Sequence, residues 1–377
     1  MTFIFSDEDE LFRQTAREWA LDRLLPDFPN WNPDYAHEMA ELGITGLRVP
    51  QEYGGGGGSF VQLGIAGEEI SRGNYSANYW IQLNTIATEL LVNRADEDLK
   101  RRWLPAIAAG EANFAFGLTE PGVGSDAASL TTTARIEGDE IVISGEKASI
   151  TFAGFADVCI VFARTGGDGA RGISSVLVPL DLPGVTRQNY DSMGSECTQR
   201  GSLFFDEVRV PVTNLLGEEG TGFIGAMTSF DFNRGFIALC CVGAAQQSLD
   251  ETVEYTKTRE TFGKPLARHE GISFQVAEHL AKIHSARLLG YEVMTLADAG
   301  LNHTKSAAMA KWLGPKLAAE AIHDCIVMHG WPGYGKDAPF DQRLRDVIGL
   351  EIGDGTPEIM KGIIARETYG REFNPYR

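Results

Sequence analysis

Strand-like segments occupy only the middle of this chain, and long helical stretches flank them on both sides. Six short segments, at residues 130–136, 140–144, 158–163, 174–179, 185–188 and 202–208, are rich in Val, Ile, Phe and Thr. Turn signals separate them: Glu137-Gly138-Asp139, Gly166-Gly167-Asp168-Gly169 and Pro183-Gly184. No helical pattern alternates with them, which argues against a doubly wound parallel sheet and for an antiparallel barrel or sandwich.

The flanks carry the other period. Ser6 with Asp9 has the form of a capping box, and Leu11, Phe12, Ala16 and Trp19 then recur at helical spacing. Residues 38–47, 64–72 and 77–92 continue the pattern. After the strands, residues 223–257, 274–299, 304–329 and 359–369 are amphipathic or wholly apolar. Alanine is dense there, at Ala307, Ala308, Ala310, Ala318, Ala319 and Ala321, which suits close packing in a helical bundle. Five glycines at residues 54–58 cannot hold regular structure cheaply and read first as a flexible surface connection, with a ligand-clasping loop as the second reading. A length of 377 residues is ample for two or three domains and a large core.

Charge and cysteine usage exclude several classes. With 33 basic and 52 acidic side chains, the formal charge is −19, and no basic run offers a surface to nucleic acid or anionic lipid. The longest apolar run, residues 236–245, is far short of a membrane span. The first ten residues lack the basic and apolar regions of a signal peptide. Cys159, Cys197, Cys240, Cys241 and Cys325 form no CxxC pair, and the seven histidines form no HExxH motif. The expectation is a protein of a reducing, cytoplasmic compartment without a metal centre.

Three segments carry candidate chemistry. The stretch from Phe116 to Ala127 contains Gly122-x-Gly124-x-x-Ala127, but Pro121 precedes the glycines and strands follow, so a dinucleotide fingerprint does not fit. It reads either as a boundary loop or as a glycine-rich loop meeting a flat polar ligand. Asp231 and Arg234, three apart on one helix face, make either a surface ion pair or a pair aimed into a cleft. Asp354, between two glycines in Gly353-Asp-Gly-Thr-Pro357, is either a turn residue or a general base on a loop between helices.

Taken together, these segments resemble the acyl-CoA dehydrogenase family along essentially the whole chain. The matching stretches are Leu118-Thr-Glu-Pro-Gly-Val-Gly-Ser-Asp126, Gly145-Glu-Lys147 with Ile150-Thr151, Phe205-Asp-Glu-Val-Arg-Val-Pro211, Tyr255-Thr-Lys-Thr-Arg-Glu-Thr-Phe-Gly263, His329-Gly330, Leu344-Arg-Asp346, and Asp354-Gly-Thr356 with Ile364-Ala-Arg366. The resemblance implies an α+β multidomain fold: an N-terminal helical domain (1–113), a central antiparallel β-barrel (114–222) and a C-terminal four-helix bundle (223–377). It implies FAD as cofactor, a homotetramer, and an electron-transferring flavoprotein as partner. Phe116, Leu118, Thr119, Ser125, Ser149, Ile150 and Thr151 match positions around the flavin or the acyl thioester. Arg259, Thr261 and Phe262 match residues reaching the FAD of a neighbouring subunit, and Gly330, Thr356 and Glu358 match further FAD contacts. Asp231, Arg234, Ser125 and Gly355 fall at substrate-binding positions.

The family's reaction pairs removal of an α-proton by a carboxylate with transfer of the β-hydrogen to flavin N5 as hydride. Here the usual Glu-Gly-Thr is Asp354-Gly355-Thr356, and the alternative position for the base falls on Asn233, which cannot take a proton. Aspartate places its carboxylate about 1–1.5 Å further back. That gap suits a substrate thick at Cα, so an alicyclic thioester such as cyclohexane-1-carbonyl-CoA is the expected substrate. The alternatives are a short- or branched-chain acyl-CoA dehydrogenase or oxidase, or a non-catalytic thioester-binding paralogue. Ser149 stands where many relatives have tryptophan, Phe152 where they often have asparagine, and Val327 where a glutamine is common.

Overall fold

The computed structural model describes residues 5–373, with the side chains of residues 226–229 and 371 left out. The first four residues of the segment read for a leader lie outside them. In chain order the elements are α1 (Asp7–Trp19), α2 (Asp34–Glu41), α3 (Phe60–Gly73), α4 (Asn78–Arg94), α5 (Glu97–Ala108), β1 (Phe114–Gly117), β2 (Thr133–Glu137), β3 (Glu140–Ile150), β4 (Val158–Arg164), β5 (Ile173–Pro179), β6 (Val185–Asn189), β7 (Gly201–Pro211), α6 (Gly222–Thr258), β8 (Glu260–Thr261), β9 (Lys264–Pro265), α7 (Glu270–Asp298), α8 (Thr304–His329), α9 (Trp331–Tyr334), α10 (Phe340–Ile352) and α11 (Pro357–Tyr369). They group into two compact units, one of residues 32–59 and 79–230, the other of residues 1–31, 60–78 and 231–377. Among the described residues no helix is long and apolar enough to cross a membrane.

The first unit holds the sheet. Its strand order is β1-β4-β2-β3-β7-β6, with β5 also pairing β4. β4 and β5 are antiparallel and buried almost throughout, which suits the apolar run of β4, while β5 buries Ser174 and Ser175 as well. The expected closed antiparallel barrel is not what forms. β1, which has no counterpart among the strand-like segments, runs parallel to β4 (Phe114 opposite Val158), and β2 meets β4 in parallel at Thr133 and Arg164. Among the described strands β6 pairs only β7 and β5 only β4, so the path has open ends and the sheet is a mixed, curled half-barrel. β3 and β7 pair from Glu140–Pro211 to Ile150–Gly201, with register shifts at Ile143/Gly145 and Lys147/Ile150. Such bulges bend a strand and re-aim its side chains.

The five-glycine run also departs from expectation. The amides of Gly55, Gly56, Gly57 and Gly58 donate to the carbonyls of Pro50, Gly46, Val49 and Leu47. Arg48 Nη1 donates to Gly58 O at 2.6 Å. A Cβ at Gly55 would lie 2.2 Å from Val49 O. Glycine is needed here for close backbone approach, so the segment is a tied loop and not a flexible connection.

The second unit is helical. Ser6 caps α1 in a reciprocal box with Asp9, as its spacing predicts. α1 and α3 pack in the same unit as the C-terminal helices α7, α8, α10 and α11 and most of α6. Arg17 donates to Glu69 at 2.7 Å through both Nε and Nη2, and Glu68 accepts from Arg287 Nε at 2.7 Å and Tyr291 Oη at 2.9 Å. Small residues let α3 and α6 meet closely. A Cβ on Gly243 would stand 2.0 Å from Glu68 O, a backbone atom that cannot swing away. Gly243→Ala should therefore lower the unfolding free energy by about 1–3 kcal/mol. An unchanged urea midpoint would show that the two helices can separate at no cost.

Candidate active site

In the helical unit, the start of α6 and the α10–α11 loop bring four of the candidate residues together. Arg234, 7% exposed, donates from Nη1 to Asp231 Oδ1 at 2.7 Å, and Thr304 Oγ1 donates to Asp231 Oδ2 at 2.6 Å. Burial pulls the Arg234 guanidinium below its ordinary value, against the opposing charges of Asp231 and Asp354. Asp231–Arg234 is thus a buried, positioned pair and not an exposed one. Asn233, 1% exposed, donates from Nδ2 to Asp354 Oδ2 at 3.4 Å. Its Oδ1 is buried with no hydrogen-bond partner among the described residues.

Asp354 and Gly355 both adopt left-handed backbone, at φ +56° and +106°. Asp tolerates that region through its short polar side chain. At Gly355 it is the backbone, at φ +106°, that favours glycine, since the Met360 Cε that a Cβ would approach to 2.5 Å can move. Thr356 then starts α11: its Oγ1 accepts from Ile359 N at 3.5 Å, with Pro357 in the first turn. Glu358 is exposed and lies 3.7 Å from Lys361. Lys311, on α8, donates from Nζ to Gly355 O at 2.9 Å. Sequence reasoning passed over Lys311 and Thr304. The available signal was a lone lysine on the alanine-dense face of a helix, which a solvated surface lysine would mimic.

Other candidates lie on separate elements of this unit. Arg259 and Phe262 are exposed and Thr261 half-buried around the β8–β9 hairpin; Phe262, at φ +49°, is 94% exposed. Gly330 ends α8 at φ +67°, and nearby Val327 is 61% exposed.

The sheet unit gathers the rest. Phe116, at the end of β1, lies 4.7 Å from the Phe162 ring and 5.6 Å from that of Phe230. Lys147, fully buried on β3, donates to Glu120 Oε1 at 2.7 Å and to Leu118 O at 3.3 Å. Ala148 N donates to Thr119 O at 2.9 Å. Glu120 also accepts from the amides of Thr131 and Thr132 at 2.7 and 2.8 Å. These bonds hold Leu118 and Thr119 beside the end of β3, where Ser149 is exposed at φ +58° between buried Ala148 and Ile150, and Thr151 is half-buried. Ser125 lies on an exposed loop whose Gly122 and Gly124 face open space. The glycine-rich segment therefore joins a buried strand end to an open loop.

Within the sheet unit, Thr119, Ser125 and Thr151 offer hydroxyls and Phe116 an aromatic face, chemistry that suits a flavin; within the helical unit, Arg259 and Thr261 offer a cation and a hydroxyl that suit phosphate. The register shift between Lys147 and Ile150 interrupts the β3–β7 ladder beside Ser149. Among the described residues no cluster could hold a metal ion.

Comparison with known proteins agrees along the chain. Residues 6–111, 115–208 and 220–369 match the N-terminal, middle and C-terminal domains of acyl-CoA dehydrogenase. A probable acyl-CoA dehydrogenase, YngJ, of Bacillus subtilis is 36% identical over 97% of this chain and 99% of its own length. Butyryl-CoA dehydrogenase of Megasphaera elsdenii superposes with a TM-score of 0.93 at 31% identity, over 98% of this chain and 100% of that one. A glutaryl-CoA dehydrogenase of Mycobacterium smegmatis, solved in complex with FADH2, gives a TM-score of 0.93 at 26% identity, over 99% and 97%. With matched domains from residue 6 to residue 369, this chain belongs to the FAD-dependent acyl-CoA dehydrogenase family and is an oxidoreductase.

Proposed function

We propose that the chain dehydrogenates an acyl-CoA with Asp354 as the base that removes the Cα proton. The observation that carries this reading is the make-up of the cluster. Asp231 has both oxygens committed to Arg234 and Thr304, and Asn233 is an amide, so Asp354 is the proton acceptor of the group. Asn233 holds Oδ2 of that carboxylate, and Arg234 with Asp231 shapes the CoA end of the cleft. The Cα–H electrons become the new Cα–Cβ double bond as the proton passes to Asp354. Bound FAD supplies the acceptor for the β-hydrogen, taken as hydride. Phe116, Leu118, Thr119, Ser125, Ser149, Ile150, Thr151, Arg259, Thr261, Phe262, Gly330, Thr356 and Glu358 would hold it. The exposed Arg259 and Phe262 suit a contact made by a second copy. An electron-transferring flavoprotein is the acceptor we assign.

The substrate reading follows from reach. A base shortened by about 1.5 Å favours a substrate thick at Cα, with cyclohexane-1-carbonyl-CoA first. Similarity to a butyryl-CoA dehydrogenase favours a short straight chain as the second reading. Anaerobic mixing of the yellow protein with each thioester separates them by the rate of flavin bleaching. Fast bleaching by the ring thioester alone supports the first reading. Fast bleaching by butyryl-CoA alone keeps the dehydrogenase and discards the ring. No bleaching by either, with FAD bound, overturns both substrate assignments.

A further inference from the structure

We infer that Lys311 is a positioning residue for the base: its ammonium clamps the carbonyl of Gly355 and holds the Asp354-Gly355 turn where the short carboxylate reaches Cα. The inference rests on the reading of Asp354 as that base.

Lys311 sits in mid-α8 among buried Ala307, Ala308, Ala310 and Gly314, and is itself 1% exposed. Burying an ammonium in such company is costly unless it is partnered, so packing alone does not explain a lysine there. Its Nζ meets Gly355 O at 2.9 Å. The carbonyl belongs to the second of two consecutive left-handed residues, a conformation that surrounding contacts must hold in place. Asn233 holds the turn at the Asp354 carboxylate and Lys311 holds it at the backbone. A shortened base has little slack, and a misplacement of about 1 Å can cost about 100-fold in rate.

The charge on this clamp is adjustable. Burial pulls Lys311 from 10.5 down to about 8, opposed by the charge of Asp354 in the turn, by Cys241 on α6 and by Glu351 on α10, while Arg234 on α6 adds to the pull. Cys241 is itself pushed up to about 12 by burial, so near pH 8 it is a neutral thiol and Asp354 and Glu351 are the charges that oppose the pull. Lysine therefore loses its charge, and the turn its ionic clamp, as pH rises through about 8.

The test is Lys311→Met, which keeps the length and removes the charge. Its limiting rate of anaerobic flavin reduction is followed on both sides of pH 8, with whichever thioester bleaches the wild type. We expect a rate about 10–100-fold lower, with KM, FAD content and melting midpoint retained, because an apolar side chain replaces a buried charge. The wild-type rate should fall as pH rises through about 8, and the variant should lack that step. A folded, FAD-loaded variant at wild-type rate overturns the inference, and so does a wild-type rate that is level through pH 8. A variant that loses FAD or melts early as it slows shows a structural role and also overturns it. Asp354→Asn is measured beside it. If that variant keeps wild-type rate, the base assignment itself falls. If it is dead while Lys311→Met is fast, only the clamp falls.

Discussion

Asp354→Asn should abolish flavin reduction by acyl-CoA while leaving the protein folded and yellow. Asparagine is nearly isosteric and shares aspartate's tolerance of the left-handed region, so φ +56° is kept without new strain. What disappears is the proton acceptor. A positioned general base contributes roughly 10²–10⁴-fold; Asn233, which cannot take a proton, fills the alternative position, and Asp231 is bound on both oxygens. The expected rate is therefore about 100- to 10,000-fold below wild type, with FAD content unchanged. Near-normal reduction would remove Asp354 from the mechanism. Asp354→Glu should move preference toward straight-chain thioesters, because the added methylene restores the missing reach.

The largest effect on stability is expected at Lys147 and Glu120. Both side chains are buried, and their 2.7 Å contact joins the loop after β1 to β3. Removing one partner leaves the other charge buried and uncompensated, so Lys147→Met should cost about 3–5 kcal/mol in urea unfolding. Replacing both, as Glu120→Gln with Lys147→Met, should recover much of that loss. Because the pair also holds Leu118 and Thr119, the single variant should release FAD more readily.

The same pair has a pH signature. Burial alone raises the Glu120 carboxyl, but the Lys147 bond, with help from Thr132 and the Thr131 amide, more than offsets it and holds the group down from 4.5 to about 2. A carboxyl depressed in the folded state contributes stability that is fully present above its ordinary value and is lost as pH falls through the folded one. The stability difference between wild type and the double variant should therefore shift against wild type from about pH 4.5 down to about pH 2. A difference that stays constant across that window would show that the pair makes no net contribution.

Local chemistry wrote much of this protein legibly into its sequence. The alternation of Val, Ile and Phe with turn residues marks most of the sheet, and the Ser6–Asp9 box marks the start of α1. β1 escaped because four residues, Phe114–Gly117, carry too little period to tell a strand from a loop. Asp354, Asp231 and Arg234 were legible as chemistry because charged groups in apolar or glycine settings are conspicuous wherever they fall.

What no local pattern specifies is which distant residues meet. The sheet stays open because, among the described strands, β6 pairs only β7 and β5 only β4, and β1 runs parallel to β4, pairings chosen by how the strands are brought together and not by their composition. The glycines at 54–58 are tied down because segment 46–50 lies against them. Asn233 reaches Asp354 across 121 positions of chain, and Lys311 reaches Gly355 across 44. A lysine in an alanine-rich helix reads the same in sequence whether it is solvated or buried. Only helix packing takes its ammonium out of water and turns it toward a carbonyl, because burial and approach are properties of three-dimensional neighbours and not of neighbours along the chain.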